Sequence, residues 1–299
     1  MSGRLAEAVN FFFYDTAKIF ILLAVIIFAV AIVRSFFPAE RARVILSHEK
    51  KYIGNVAAAL LGIVTPFCTC SAIPLFLGFV EAGIPLGVTF SFLISSPMIN
   101  EVALVMLWGM FGWKIAVIYI ASGFVIAVVS GIVLGELKLE GLLENIEPKK
   151  RATDALLADP SWKDRFRYAL RYTADILRTV GPFVIIGIAI GAFIHGYAPQ
   201  DFLVKYAGKG NWLAVPVATL IGIPLYSNAA GTIPMVSALV EKGMGIGTAL
   251  AFMMAVTGLS LPEFLILRRV MKTRLLLIFA AIVGIGIIFT GYLFNFIAR

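Results

Sequence analysis

Long apolar runs alternate with short polar connections along this chain. The runs cover roughly Ala17–Phe36, Tyr52–Val80, Pro85–Met110, Trp113–Leu134, Val180–His195, Trp212–Val240, Ile246–Leu267 and Leu275–Ile297. A helical crossing of a bilayer takes about 20 apolar residues, so length alone predicts eight membrane helices. Two runs do not read as continuous helices. GIVTPFCTCSAIPLFLGFVEAGIPLG (Gly62–Gly87) and GIPLYSNAAGTIPMVSALVEKGMGIG (Gly222–Gly247) are broken by proline and small polar residues, and they are versions of one another. Gly62/Gly222, Ile63/Ile223, Ile73/Ile233, Pro74/Pro234, Glu81/Glu241, Gly83/Gly243 and Gly87/Gly247 match at one offset, 234 − 74 = 160. Unpaired backbone inside a bilayer is tolerated only where protein buries it or it lines a cavity. A matched pair of breaks therefore points to the substrate site of a secondary transporter.

Charge in the connections refines the fold. Arg34–Lys51, Lys138–Arg178 and Arg268–Arg274 are basic, whereas Trp108–Lys114 and Ile194–Asn211 carry little charge. Basic connections belong in the cytoplasm, yet three runs separate Lys51 from Lys138, which eight simple crossings cannot satisfy. One run per half that enters and leaves on the same side removes the conflict. Pro85–Met110, broken at Ser95-Ser96-Pro97, and Ile246–Leu267, broken around Thr257–Pro262, are the expected re-entrant hairpins. The expected fold is all-α: a polytopic membrane protein of two inverted repeats, each with a broken helix and a re-entrant hairpin. Residues 1–137 form the first membrane repeat and 177–299 the second, with both termini outside. Residues 138–176 form a cytoplasmic linker with an amphipathic helix over Ser161–Thr173. A parallel repeat of four crossings per half is the alternative, and it leaves basic loops on both sides.

Composition agrees. Hydrophobic residues make up 61% of the 299 positions and charged residues 14%, with mean hydropathy +0.97; a soluble domain carries about 25% charge. The net charge of +8 sits in loops beside apolar runs, where topology and anionic headgroups account for it; no nucleic-acid partner is expected. Ala17–Phe36 is too long for a signal peptide's apolar region and has no small-residue cleavage site after it, so it reads as a retained span of a multi-pass protein of the cell (cytoplasmic) membrane.

Chemistry concentrates at the breaks. Pro66 removes a backbone donor and should unwind the chain at Thr65-Pro66-Phe67-Cys68-Thr69-Cys70-Ser71, exposing two thiols near mid-membrane. Thiolates prefer thiophilic centres such as trivalent arsenic, Cu(I) or Zn(II); equally, free cysteines are often plain packing residues. The equivalent stretch, Tyr226-Ser227-Asn228, has hydroxyl and amide groups but no sulfur. One soft wall and one hydrogen-bonding wall suit a solute with a thiophilic atom and polar or organic substituents. Ser95, Ser96 and Asn100 beside Pro97, and Thr257 and Ser260 beside Pro262, supply further polar groups. Glu101 and Glu263 align if two residues are inserted. Intramembrane carboxylates are functional candidates, here for proton coupling; helix caps or pairs with Arg268 and Arg269 are the structural alternative. Soft centres bound through thiols release protons, which a nearby carboxylate accepts. Glu81 and Glu241 read as turn residues. His48 and His195 stand singly, Trp108, Trp113, Tyr197 and Tyr206 read as interfacial, and Gly284 and Gly286 as helix packing.

TPFCTCSAIPLF, EAGIPLGVTFSFLISSPMINEVAL and the echo in the second half resemble the ArsP-type predicted permeases, which include efflux permeases for trivalent organoarsenicals, over Ala17 to Ile297. The resemblance implies export of methylated or aromatic As(III) compounds, with Cys68 and Cys70 as substrate ligands in As(III)-type ligation. With no further cysteine, a three-thiolate site within one chain is excluded. A small thiophilic solute, the lipid bilayer and no cofactor are expected; a homo-oligomer stays open. No GxxxxGK[ST] loop occurs, so no built-in ATPase is expected. Two other readings stand beside export of organoarsenicals: transport of another soft metal(loid) or sulfur-containing solute, and a membrane thiol oxidoreductase. The last needs a partner thiol where Asn228 and Ala230 stand, so a non-enzymatic transporter is expected.

Overall fold

The computed structural model describes scattered helical residues between 10 and 32, then residues 52–65, 69–81, 83–99, 101–143, 161–197, 211–225, 229–268 and 270–297. Among them the structure is helical, apart from one isolated bridge between Leu143 and Met271. The first half holds α1 (Ile53–Val64), α2 (Thr69–Glu81), α3 (Leu86–Met98), α4 (Glu101–Phe111) and α5 (Trp113–Glu136). A long helix, α6 (Trp162–Tyr197), leads into α7 (Ala214–Gly222), α8 (Ala229–Glu241), α9 (Ile246–Gly258), α10 (Leu261–Leu267) and α11 (Thr273–Ile297). Thr69/Ala229, Leu86/Ile246, Glu101/Leu261 and Trp113/Thr273, the starts of equivalent helices, all keep the offset of 160. The repeat seen in two broken runs thus extends through four successive elements.

Local chemistry sets these boundaries. Gly83 and Gly243 end α2 and α8 at φ 74° and 100°, a left-handed geometry that glycine adopts without a Cβ penalty. At both, two backbone bonds close the helix end: Gly83 N–H to Val80 and Ile84 N–H to Phe79, then Gly243 to Val240 and Met244 to Leu239, each 3.0 Å. That is the two-bond helix stop favoured by glycine. Pro97 lies in the last turn of α3, where a missing N–H and ring crowding end the helix. Across this break the chain turns by 48° between 86–98 and 103–111.

The packing fixes direction. A Cβ on Gly87 would lie 2.5 Å from the Gly131 carbonyl oxygen, and one on Gly247 would strike the Gly291 carbonyl oxygen. The start of α3 therefore lies against the end of α5, and the start of α9 against the end of α11. Small residues permit this close backbone approach where lipid supplies no hydrophobic drive. Lys272 N–H donates to the Leu142 carbonyl (2.9 Å) beside the Leu143–Met271 bridge. The end of α5 thus adjoins the start of its own equivalent, α11, while Ile126 packs on Gly286 (286 − 126 = 160) midway along both. Equivalent helices run antiparallel, so the two halves are inverted. Two basic connections, those after α5 and before α11, meet on one face.

One expectation changes. Asn55 Nδ2 donates to Ser91 Oγ (3.0 Å) near the start of α3, whereas Gly62 lies against the Phe92 carbonyl and Ser95 further along. α1 therefore runs with α3, starting on the face where α3 starts. α2 ends on that same face, at the Gly83 turn into α3. The run Tyr52–Val80 is the re-entrant hairpin, and Pro85–Met110 is a broken span. The second half agrees: Val215 touches Gly291 at the start of α9, and Gly222 meets the Phe252 carbonyl and Ala255 deeper in. Trp212–Val240 re-enters, and Ile246–Leu267 is long and apolar enough to cross. Pro97 signals a break equally well in a bent crossing and in a hairpin, and only these contacts separate the two. α6 also carries the amphipathic stretch and the following apolar run as one helix of 36 residues with Pro182 inside.

Candidate functional site

The helices of two re-entrant hairpins and of two broken spans converge. In the first hairpin Gly62, in the last turn of α1, lies against Ser95 and Ser96, in the last turn of α3. In the second, the Ile223 carbonyl at the end of α7 accepts the Leu261 N–H (2.9 Å) at the start of α10. α1 and α7 therefore each end beside the break of their own half. The halves then interlock: α2 packs on α10 and α4 on α8, while α3 meets α9 and α5 meets α11. Each of these four contacts maps onto itself or its counterpart, which is the signature of a two-fold arrangement. On the axis Met98 packs against Gly258, where a Cβ would lie 2.8 Å from its side chain (258 − 98 = 160).

Of the proposed solute contacts, Pro66, Cys68, Asn100, Tyr226, Ser227 and Asn228 lie outside the described residues. Cys70 and Ser71 sit in the first turn of α2, and Glu101 opens α4. Ser95, Ser96, Thr257 and Ser260 are buried. The Ser95 hydroxyl donates to the Phe92 carbonyl (3.1 Å) and Thr257 to the Met253 carbonyl (3.0 Å). Such bonds to the preceding turn satisfy a hydroxyl in an apolar surrounding. Among the described residues no three His, Cys, Asp or Glu side chains cluster as metal ligands.

Glu263 stands out. It is 1% exposed, and neither carboxylate oxygen has a hydrogen-bond partner among the described residues. Ser260-Leu261-Pro262-Glu263 has the spacing of a reciprocal helix cap, yet Ser260 makes no side-chain cap bond and the carboxylate does not reach back. A charge so buried needs a cation or a proton. The pairing of Glu101 with Glu263 does not hold. The constant offset sets Glu101 opposite Leu261 and Glu263 opposite the buried Ala103, because no residue is inserted between the starts of equivalent helices. Glu263 has no carboxylate counterpart, and its helix packs on α2, which carries Cys70.

Two polar residues escaped the sequence reading. Tyr119, 1% exposed in the second turn of α5, donates to the Met98 carbonyl (3.0 Å) and lies within hydrogen-bonding reach of Thr257 in the other half. Asn55 bridges the hairpin to α3. Both were visible as lone hydrogen-bonding side chains in apolar runs, a type that costs free energy in lipid unless paired.

Broken spans packed against re-entrant helices across an inverted repeat are the architecture of a transport protein. A family model described as predicted permease, ArsP type, matches residues 4–296. The chain belongs to the ArsP-type predicted permease family. This permease is similar to a UPF0718 protein of Methanocaldococcus jannaschii, 27% identical over 85% of each chain. It is also similar to the UPF0718 protein YraQ of Escherichia coli, 24% identical over 81% of the permease and 68% of YraQ. A protein of Streptococcus mutans named as a two-component membrane permease complex subunit is 23% identical over 77% of the permease and 76% of its own length. No solved structure matches the permease. It is an integral membrane protein and its class of activity is permeation.

Proposed function

We propose that the permease is a secondary transporter that exports trivalent organoarsenicals, or a similar thiophilic small solute, by alternating access. The observation that carries this reading is that α1 ends beside the broken span of its own half, while α2, which begins at Thr69 and carries Cys70, packs on the helix of Glu263. Two thiols suit a monosubstituted As(III) centre, which keeps one organic substituent and offers two exchangeable positions. The organic group then faces the hydrogen-bonding tip at Tyr226, Ser227 and Asn228, with Ser95, Ser96, Thr257 and Ser260 in the walls. Glu263 takes up and releases a proton during the cycle, with Glu101 as a second carboxyl at the mouth of α4. The basic face is cytoplasmic, and each half contributes three crossings and one hairpin.

The test is protection of an arsenical-sensitive host against phenylarsine oxide, with calorimetric binding to the purified protein. Cys68→Ser and Cys70→Ser should each abolish protection and binding while expression persists. Retained protection in both variants would make the thiols packing residues and shift the solute to another class. Oxidant-independent alkylation of the two thiols would set aside the oxidoreductase alternative.

A further inference from the structure

The first four turns of α6 form an unusual surface. Trp162, Phe166 and Leu170, spaced by four, are 70%, 52% and 50% exposed. Residues at that spacing share one helix face. Lys163, Arg167 and Arg171 form the adjoining row, and all three are exposed. Asp164 and Asp175 lie beyond the basic row, farthest from the apolar one. On the other flank Ala169 and Thr173 are buried against the protein. The helix thus has three sectors: protein, apolar, and charged, with the cations next to the apolar sector and the acids away from it.

The apolar row is joined to the membrane part. The Phe166 ring stands edge-on to Phe28 at 5.1 Å, inside the first apolar run, and the same helix continues into the apolar stretch after Arg178. A row of tryptophan, phenylalanine and leucine bordered by lysine and arginine is the pattern of a helix lying at the level of the headgroups. We propose that Trp162–Arg178 is a lipid-binding surface: its apolar row enters the upper acyl region, and Lys163, Arg167 and Arg171 hold the phosphates of anionic lipids. Lysine and arginine near a negatively charged leaflet gain electrostatic attraction that falls off within a Debye length. The three-sector pattern fits a bilayer better than a second copy of the chain, whose matching face would bring its own basic row against this one.

The experiment uses the full chain with Trp162 as the sole tryptophan, made by Trp108→Phe, Trp113→Phe and Trp212→Phe. It is placed in nanodiscs of phosphatidylcholine containing equal fractions of acyl-brominated phosphatidylcholine or acyl-brominated phosphatidylglycerol. Brominated phosphatidylcholine should quench Trp162, and brominated phosphatidylglycerol should quench it more, through a local enrichment of about fivefold. Lys163→Gln, Arg167→Gln and Arg171→Gln together should equalise the two lipids without removing quenching by the first. Quenching by aqueous iodide in place of bromolipid would overturn the proposal, as would protection from both, which would mean a protein covers the row. Equal quenching by the two lipids before substitution would overturn the anionic part.

Discussion

At the level of single residues, the hydroxyl of Tyr119 joins three elements. It holds the Met98 carbonyl at the break of α3 and reaches Thr257 of the opposite half. Tyr119→Phe leaves a buried carbonyl short of a donor, which costs about 1–3 kcal/mol. A lower thermal midpoint of the purified protein in detergent is the expected reading, and an unchanged midpoint would mean the bond contributes nothing net. Glu263→Gln keeps shape and removes the titrating group. In everted vesicles it should abolish the dependence of arsenical uptake on the proton gradient while calorimetric binding persists; an unaltered gradient dependence would take Glu263 out of the coupling step. Sequence pointed to Glu263 because a carboxylate in an apolar run is conspicuous. Its burial and its unmade cap were not legible, since Ser-x-x-Glu spacing alone predicts the opposite.

Among the helices, the repeat in sequence located both breaks and both glycine stops, because proline and left-handed glycine act locally. Which broken run returns to its own face was not legible in that way. It depends on Asn55 meeting Ser91 and on Gly62 lying against Phe92 and Ser95, contacts between positions 30 to 36 residues apart. The close approach of α9 and α11 gives a sharp test of that packing. Gly247→Ala directs a methyl group at the Gly291 carbonyl, whereas Gly284→Ala meets only a side-chain carbon at 3.8 Å. Overpacking of the first kind costs roughly 1–3 kcal/mol. Gly247→Ala should lower the yield of monodisperse protein and Gly284→Ala should not; equal behaviour would mean α9 and α11 adjust freely.

Across the whole molecule, antisymmetric loop charge anticipated the inversion that the α5–α11 junction bears out. The chain has two cysteines, so a Cys68→Ser, Cys70→Ser background allows orientation to be read by labelling. Lys114→Cys, at the start of α5, should react with an impermeant maleimide in intact cells, and Ser161→Cys only after permeabilisation. The reverse pattern would invert the orientation, and reaction of both from one side would refute opposed faces at the two ends of α5.

The inversion carries a consequence for direction. The half-turn that relates the two halves also exchanges the two sides of the lipid sheet, yet the offset of 160 pairs Cys68 with Asn228 and Cys70 with Ala230 in sequence. A cargo held by those thiols, as proposed, would meet a counterpart with nothing comparable to grip it. A pathway alike in shape but unlike in donor atoms would hold such a cargo with unequal affinity from the two sides, leaving net direction to the driving gradient, and giving the second tip its own pair of thiols should tighten binding and slow release.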